Sequence, residues 1–230
     1  MQKVVLRAVD LYKNYRMGSG VIVPALRGAN IEVYEGDFVA IIGPSGSGKT
    51  TLLNMLGLLD TPDSGEVYVD GVPVVGLSDD ELSEIRLRKI GFVFQQYNLV
   101  PILTALENVE IPMILAGVPR KRRLERARSL LEIVGISNMA DHRPTELSGG
   151  QQQKVAIARA LANEPSIILA DEPTGNLDTK ASEEIVYLMK RLNRENGTTL
   201  VVVTHDLEVA RKTDRVLRIR DGKLYEVEKL

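Results

Sequence analysis

The chain has 230 residues, of which 44% are hydrophobic and 26% charged, and its formal net charge is −2. This is the composition of a globular protein with enough length to bury a core, and the charge excludes a bulk attraction to nucleic acid or anionic lipid. The lack of cysteine excludes disulfides, thiolate metal sites and cysteine nucleophiles. No stretch approaches the ~18 apolar residues of a membrane span, so we expect a soluble chain that reaches a membrane only through a partner.

The N-terminal part predicts short strands at residues 4–8 and 31–33. An irregular connection between them contains Tyr12, Tyr15, Met17 and a turn at residues 18–20. Tyr15 is a candidate for stacking on a nucleobase, because aromatic rings bind bases through their faces. Ordinary packing of Tyr15 in the core or on the surface is the alternative.

Residues 43–50, GPSGSGKT, fit the G-x-x-x-x-G-K-[ST] pattern of a phosphate-binding loop. The wholly apolar run 38–42 before them predicts a buried strand, and a helix begins near Lys49, so its positive N-terminal end faces the phosphates. Lys49 is predicted to reach the outer phosphates, and the Thr50 hydroxyl to bind Mg²⁺. The residues predicted to contact the nucleotide in this phosphate loop are Gly43, Ser45, Gly46, Ser47, Gly48, Lys49, Thr50 and Thr51.

The stretch after the phosphate loop predicts a small antiparallel sheet and contains a further polar candidate for the site, Gln95. A hairpin is expected around Asp70-Gly71, a capped helix over 78–89 and a strand over 90–94. Gln95 follows that last strand directly, and ligands in α/β proteins bind at the carboxyl ends of strands. Gln95 is therefore a candidate site residue, with an ordinary loop glutamine as the alternative.

Residues 96–164 are predicted to form a helical insertion. The apolar segment 97–103, Tyr97 to Leu103, suits either a buried lobe or a docking surface. A helix capped at Thr104 should kink or end at Pro112, and an amphipathic helix follows the basic run 120–123. We interpret that run as a solvated helix face, because it is short and has no interleaved aromatics.

The signature segment, Leu147-Ser148-Gly149-Gly150-Gln151, opens another helix with Ser148 and Gln151 at capping-box spacing. Two successive glycines permit a close approach to the backbone at a helix N-terminus, which is itself an anion site. The residues alone leave two interpretations open, a plain capped helix and a second phosphate site.

Acidic and polar residues end the last two buried strands. The run 167–170 is followed by Asp171 and Glu172, the arrangement of a Walker B segment, in which Asp171 holds Mg²⁺ and Glu172 orients or deprotonates the attacking water. We expect Glu172 to lie on the opposite side of an extended chain from Asp171. His205 ends the strand 199–204, and a helix is expected from Asp178 to about residue 192.

Taken together, the phosphate loop, Gln95, LSGGQ, ILADE, Asn176-Leu177-Asp178 and His205 resemble the nucleotide-binding subunit of an ABC transporter over nearly the whole chain. The resemblance implies one P-loop NTPase domain of α/β class: a mixed, largely parallel sheet flanked by helices, with a small antiparallel β subdomain and a helical subdomain. It assigns residues 1–95 and 165–230 to the nucleotide-binding core and 96–164 to the helical subdomain.

The resemblance also implies ligands and roles. ATP and Mg²⁺ are the expected cofactors, with adenine on Tyr15 and Mg²⁺ near Thr50, Gln95 and Asp171. Glu172 is the implied catalytic base, while Gln95 senses Mg²⁺ and the attacking water. His205 is the implied contact of the γ-phosphate. Two copies would meet head to tail, so that Ser148, Gly149, Gly150, Gln151 and Asp178 of one approach the ATP of the other.

The implied function is ATP hydrolysis that drives separate transmembrane permease subunits, contacted near Tyr97–Leu103, from the inner face of the cell membrane. The sequence EPTGNLD at residues 172–178 resembles that of the ATPases of macrolide export, lipoprotein release and cell division. This resemblance favours export or extraction of a substrate from the membrane. Mechanical signalling through a membrane partner is an alternative. A soluble ABC ATPase acting on DNA or ribosomes is another, although no nucleic-acid partner is expected. Gly175-Asn176 replaces the commoner Ser-Ala pair and affects no predicted catalytic position.

Overall fold

A computed structural model describes residues 2–16, 18 and 20–227, so Met17 and Ser19 of the predicted turn lie outside the described residues. The described residues form two sheets from the strands β1 Val4–Arg16, β2 Ile22–Tyr34, β3 Phe38–Ile42, β4 Ser64–Val69, β5 Val72–Pro73, β6 Ile90–Phe94, β7 Ile167–Asp171, β8 Leu200–Thr204, β9 Arg215–Arg220 and β10 Lys223–Val227. The first is antiparallel, with strand order β2-β1-β4-β5, and the second has six strands in the order β10-β9-β3-β8-β7-β6. Strands β9, β3, β8, β7 and β6 are parallel neighbours, and β10 pairs antiparallel at the edge.

The helices are α1 Lys49–Leu56, α2 Asp79–Lys89, α3 Ala105–Leu115, α4 Arg120–Ile133, α5 Gly149–Ala160, α6 Thr179–Asn196 and α7 Leu207–Ala210. The predicted α/β class with its largely parallel sheet is confirmed.

One expectation about the elements was wrong, and one of the two outcomes expected at Pro112, a kink or a helix end, is excluded. The strands predicted at 4–8 and 31–33 are parts of the 13-residue strands β1 and β2, which pair with each other where an irregular connection was expected. Bulges in β1 interrupt the alternation of apolar and polar residues, so the period-two signal stops early. Helix α3 also runs through Pro112 to Leu115 and does not end at the proline. Pro112 lacks the N–H that would donate to the Asn108 oxygen, so the helix loses a single backbone hydrogen bond there.

Two buried clusters hold the parts together. One contains the inner faces of both sheets and the buried side of α1, including Leu52, Leu56 and Val203. The other joins α3, α4, α5 and α6 to the opposite face of the parallel sheet. Because strands β3, β7 and β8 are buried on both faces, their sequences are apolar runs, interrupted only by the last residues of β7 and β8, Asp171 and Thr204. The carboxyl ends of the parallel strands lie at one edge of this sheet. Each predicted catalytic residue, Gln95, Glu172 and His205, directly follows one of these strands.

Candidate functional site

The phosphate loop connects β3 to α1, as predicted. Gly48 is the residue before the helix and has φ +103°, and a Cβ there would lie 2.4 Å from the Ala25 oxygen, so glycine is required twice over. Lys49 Nζ donates to the backbone oxygens of Gly43 at 2.8 Å and Pro44 at 3.0 Å. The ammonium group therefore lies across the loop, where a phosphate would meet it.

The loop satisfies the requirements for a bound polyphosphate. The hydroxyl oxygen of Ser47 is buried and has no hydrogen-bond partner. A buried polar atom without a partner costs free energy, which a bound anion would relieve by accepting from it. Ser45 and Gly46 are exposed, and Thr50 and Thr51 begin the helix beside them. The predicted loop residues thus lie together around one concave backbone segment.

Asp171 ends β7 beside the phosphate loop. Burial and the neighbouring charge of Glu172 raise the pKa of Asp171, while Lys49 and the Thr50 hydroxyl oppose the shift. Carboxylate, hydroxyl and amide oxygens are the ligands that Mg²⁺ prefers, and Mg²⁺ takes only one or two carboxylates when phosphates supply other ligands. Asp171, Thr50 and Gln95 fit such a site.

The Glu172 carboxylate contacts groups of the neighbouring strand end that the sequence alone does not indicate. The Thr204 hydroxyl donates to Glu172 Oε2 at 3.1 Å, the His205 backbone N–H donates to the same oxygen at 3.3 Å, and His205 Nδ1 lies 2.9 Å from Oε1. The expectation of an extended chain here was wrong, because Glu172 has φ +45°. Its N–H donates to Val203 of the neighbouring strand, and that hydrogen bond holds the turn that directs its carboxylate toward β8.

Gln95 lies at the same edge of the sheet. Phe94 pairs with Asp171, so Gln95 and Glu172 follow adjacent parallel strands. Gln95 Nε2 donates to Asn176 Oδ1 at 3.1 Å. Gln95, Asp171, Glu172 and His205 are therefore grouped at the carboxyl ends of β6, β7 and β8.

The signature segment occupies a different environment within the chain. Ser148 caps α5 and forms the predicted capping box with Gln151. A Cβ at Gly149 would meet Tyr97 and Leu177, and one at Gly150 would have only Ala181 within 4 Å. Asp178 caps α6 by accepting from the Ala181 N–H at 2.8 Å. Within one chain the signature glycines thus neighbour the start of α6.

Tyr15 lies on β1, and its hydroxyl donates to Asp60 Oδ2 at 2.9 Å. Lys13 Nζ is 5.3 Å from the centre of its ring and also donates to Asp60 at 2.7 Å. Burial, followed by the hydrogen bond to Asp60, raises the pKa of Tyr15, although the Thr51 hydroxyl opposes this shift. Because 37% of Tyr15 is exposed, core packing is excluded as its only role.

Two side chains of α5 that sequence reasoning did not select as site residues contact the catalytic edge. The fully buried Gln153 donates to the backbone oxygen of Pro173 at 2.7 Å, directly after Glu172. Arg159 donates to the backbone oxygens of Tyr97 at 2.7 Å and Asn98 at 2.5 Å, and burial lowers the pKa of Arg159. A polar residue on the apolar face of a helix is the signal that could have identified both.

The segment 97–103 is mostly exposed and borders a groove. Ile102 is 76% exposed, which excludes the buried-lobe interpretation. The groove has a volume of about 680 Å³, and its mainly apolar lining comes from α2, β6, α3 and α5, including Leu115 and Arg159, and from Asn98 of the segment itself. Exposed apolar surface bordering a groove is typical of a protein docking site. Among the described residues, no helix combines the length and apolarity needed to cross a bilayer.

Comparison with known proteins agrees with this site. Residues 26–175 match the family described as ABC transporter. An ABC transporter ATP-binding protein of Thermotoga maritima is 59% identical over 227 residues, covering 99% of this chain and 96% of that protein. A macrolide export ATP-binding/permease protein, MacB, of Syntrophobacter fumaroxidans is 53% identical over 215 residues, covering 93% of this chain but 30% of that protein.

Solved structures give the same result. The ATP-binding cassette MJ0796, in a dimeric post-hydrolysis state bound to ADP and Pi, has a TM-score of 0.86 and 50% identity, and covers 98% of this chain and 100% of that one. MJ0796 is an ABC transporter ATP-binding protein of Methanocaldococcus jannaschii, and its full sequence is 52% identical over 230 residues, covering 98% of this chain and 97% of that protein. The phosphate loop, the acidic strand end and these similarities lead to one conclusion: the chain belongs to the ABC transporter family and is an ATP-binding, ATP-hydrolysing protein of that family.

Proposed function

We propose that this ATPase powers permease subunits that export or extract a lipoprotein, peptide or drug-like substrate from the membrane. The observation that carries the catalytic part is the grouping of Glu172, Thr204 and His205 beside Asp171 and the phosphate loop. A carboxylate fixed by neighbouring groups at that position can take a proton from a water aligned with the γ-phosphate. The MacB relative, whose name joins ATP binding to a permease, supports the transport part.

Each predicted site residue has a proposed role. Tyr15 stacks on adenine, residues 43–51 hold the phosphates, and Thr50, Asp171 and Gln95 hold Mg²⁺. When bound, Mg²⁺ neutralises charge on the phosphate oxygens. Glu172 is the general base, Gln95 also orients the water, and His205 contacts the γ-phosphate while its Nδ1 holds Glu172. The hydrogen bond from Thr204 keeps the base directed into the site.

We further propose a head-to-tail homodimer around two ATP molecules. Ser148, Gly149, Gly150 and Gln151 begin α5, whose N-terminal N–H groups favour an anion. In one chain these glycines neighbour α6, so a second copy is the natural source of a phosphate for them. Asp178, at the start of α6, would lie near the partner's site. The dimeric state reported for MJ0796 supports this assembly.

The permease is proposed to bind the groove beside Tyr97–Leu103. Its apolar lining and the exposed Ile102 suit an apolar partner segment, and Arg159 ties its rim to the signature helix α5. This contact would hold the ATPase at the cytoplasmic face of the membrane.

The single domain is proposed to have two parts. Residues 1–95 and 165–230 form the nucleotide-binding core, and residues 96–164 form the helical subdomain, which begins just before the segment Tyr97–Leu103.

Copurification from solubilised membranes, with mass spectrometry of the bound proteins, tests the transport role. Recovery of a permease is expected from the wild type, and an Ile102→Asp variant should recover less of it while retaining ATPase activity. Recovery of ribosomes or DNA would favour the soluble-ATPase alternative. A recovered membrane partner that moves no solute after reconstitution would favour mechanical signalling.

A further inference from the structure

Gln95 and Asn176 are joined by two hydrogen bonds, although they lie 81 positions apart in the chain. Gln95 Nε2 donates to Asn176 Oδ1 at 3.1 Å, and Asn176 Nδ2 donates to the backbone oxygen of Gln95 at 3.0 Å. This reciprocal pair connects the end of β6 to the loop ahead of α6. Nothing in the function proposed above requires Asn176.

The pair determines how both amides are oriented. A backbone oxygen only accepts hydrogen bonds, so Asn176 must direct its NH₂ group toward the Gln95 carbonyl. Asn176 Oδ1 then faces the Gln95 side chain. Of the two polar atoms of the Gln95 amide, only Nε2 can donate a hydrogen bond to that oxygen. Gln95 Oε1 is therefore the atom that faces away from Asn176 and stays available to another group.

Gly175 leaves room for this contact. A Cβ on Gly175 would lie 2.7 Å from Gln95 Nε2 and 3.0 Å from Gln95 Cδ, closer than side chains normally approach. The Ser-Ala pair that is commoner in the family would add that Cβ and would remove the amide of Asn176. Gly175 and Asn176 thus act together, one by making room for the Gln95 side chain and the other by binding it.

We propose that Asn176 is a positioning residue that orients the Gln95 amide so that Oε1, and not Nε2, is presented to Mg²⁺ at the ATP site. The inference rests on the metal role proposed for Gln95. Mg²⁺ binds oxygen ligands and not the NH₂ group of an amide, so a freely rotating Gln95 would offer the wrong atom for part of the time. Pairing of Phe94 with Asp171 places Gln95 on the strand next to the proposed metal carboxylate.

The first test is the Mg²⁺ concentration that gives half-maximal ATP hydrolysis, compared among wild type, Gln95→Ala, Asn176→Ala and the double variant. We expect Asn176→Ala to raise it about three- to tenfold, the range for loss of one or two neutral hydrogen bonds. ATP affinity measured in EDTA should be unchanged. The double variant should show the shift of Gln95→Ala alone, because Asn176 acts only through Gln95.

Two further variants separate positioning from general destabilisation. Gly175→Ala should raise the Mg²⁺ requirement as Asn176→Ala does, since it displaces Gln95 and leaves Asn176 intact. Asn30→Ala is the matched control, because Asn30 forms a comparable reciprocal pair with Asp10 in the antiparallel sheet. It should leave the Mg²⁺ requirement unchanged.

A readout independent of activity is the ¹⁵N NMR signal of the Gln95 side-chain amide in the nucleotide-free protein, assigned by its loss in Gln95→Ala. Slow hydrogen exchange is expected in the wild type and faster exchange in Asn176→Ala. An unchanged Mg²⁺ requirement in Gln95→Ala would refute the metal role of Gln95 itself. A shift in Gln95→Ala without one in Asn176→Ala, an additional shift in the double variant, or equal amide exchange with and without Asn176 would overturn the positioning role.

Discussion

Glu172 Oε1 lies 2.9 Å from His205 Nδ1, at the junction of two parallel strands. The contact joins the residue after β7 to the residue after β8, and the Thr204 hydroxyl holds the second oxygen of the same carboxylate. Two strand ends thus fix one carboxylate. Such preorganisation is what a general base requires, because a freely rotating side chain would seldom meet the attacking water in the right geometry.

Glu172→Gln should keep ATP binding and slow hydrolysis by about 10²–10⁴-fold, because an amide cannot take the proton. ATP should then accumulate a closed dimer on size exclusion. Glu183→Gln is the matched control, since Glu183 lines the same cavity as Glu172 and His205 but has no proposed part in the reaction. A Glu172→Gln protein that stays monomeric with ATP would contradict the head-to-tail assembly.

Lys49→Ala should weaken ATP binding about 10- to 100-fold, the loss expected for a charged hydrogen-bond donor to phosphate. Fluorescent-nucleotide titration measures this directly. Lys121→Ala removes an exposed lysine of α4, away from the phosphate loop, and should bind ATP normally. Normal ATP affinity in Lys49→Ala would be incompatible with the phosphate-loop assignment.

Asp171→Asn should stabilise the nucleotide-free protein near neutral pH. The raised pKa of Asp171 means that the folded state holds the proton more tightly than the unfolded chain, so stability falls as the pH rises from the ordinary Asp pKa to the raised value. Above that range the ionised carboxylate is destabilising, and asparagine removes this cost. Thermal unfolding should show a higher Tm for the variant near neutral pH and a shrinking difference as the pH is lowered into the carboxyl range.

The same variant should gain less from ligand. Mg²⁺ with ATP should raise the Tm of the wild type more than that of Asp171→Asn, because the proposed metal ligand is weakened. An equal increase in both proteins would argue against Asp171 as a metal residue.

Arg159→Ala should destabilise the protein by about 1–3 kcal/mol, because the Tyr97 and Asn98 oxygens lose a charged donor. Both residues have positive φ, at +59° and +49°, so their conformation depends on external support. Denaturant unfolding measures the stability, and permease copurification should decline as the groove rim loosens. Arg128→Ala, at an exposed position of α4, should change neither quantity.

Local patterns in the sequence predicted most of the elements around the candidate site. The phosphate loop was recognisable because its glycines, Lys49 and Thr50 are consecutive. The capping boxes at Ser78, Thr104 and Ser148 were likewise predicted, because each is formed by residues three positions apart. Strand β1 was underestimated because its bulges break the period that identifies a strand.

The contacts of Gln95 could not be predicted in this way. In the sequence, Gly175-Asn176 stands out because it replaces the commoner Ser-Ala pair. Nothing near Asn176 in the chain indicates that its hydrogen-bond partner lies 81 positions away. The same holds for Gln153, which contacts Pro173 across the boundary between α5 and the parallel sheet. Such bonds form only after separate elements have packed.

The sequence by itself determined the family, the phosphate loop and the acidic strand end, because these are short-range arrangements written in consecutive residues. Only the tertiary structure decided that Glu172 is held by Thr204 and His205, and that Gln95 is held by Asn176. The physical reason is that hydrogen-bond partners are chosen by distance in space, and the order of parallel strands brings together residues that the chain keeps far apart.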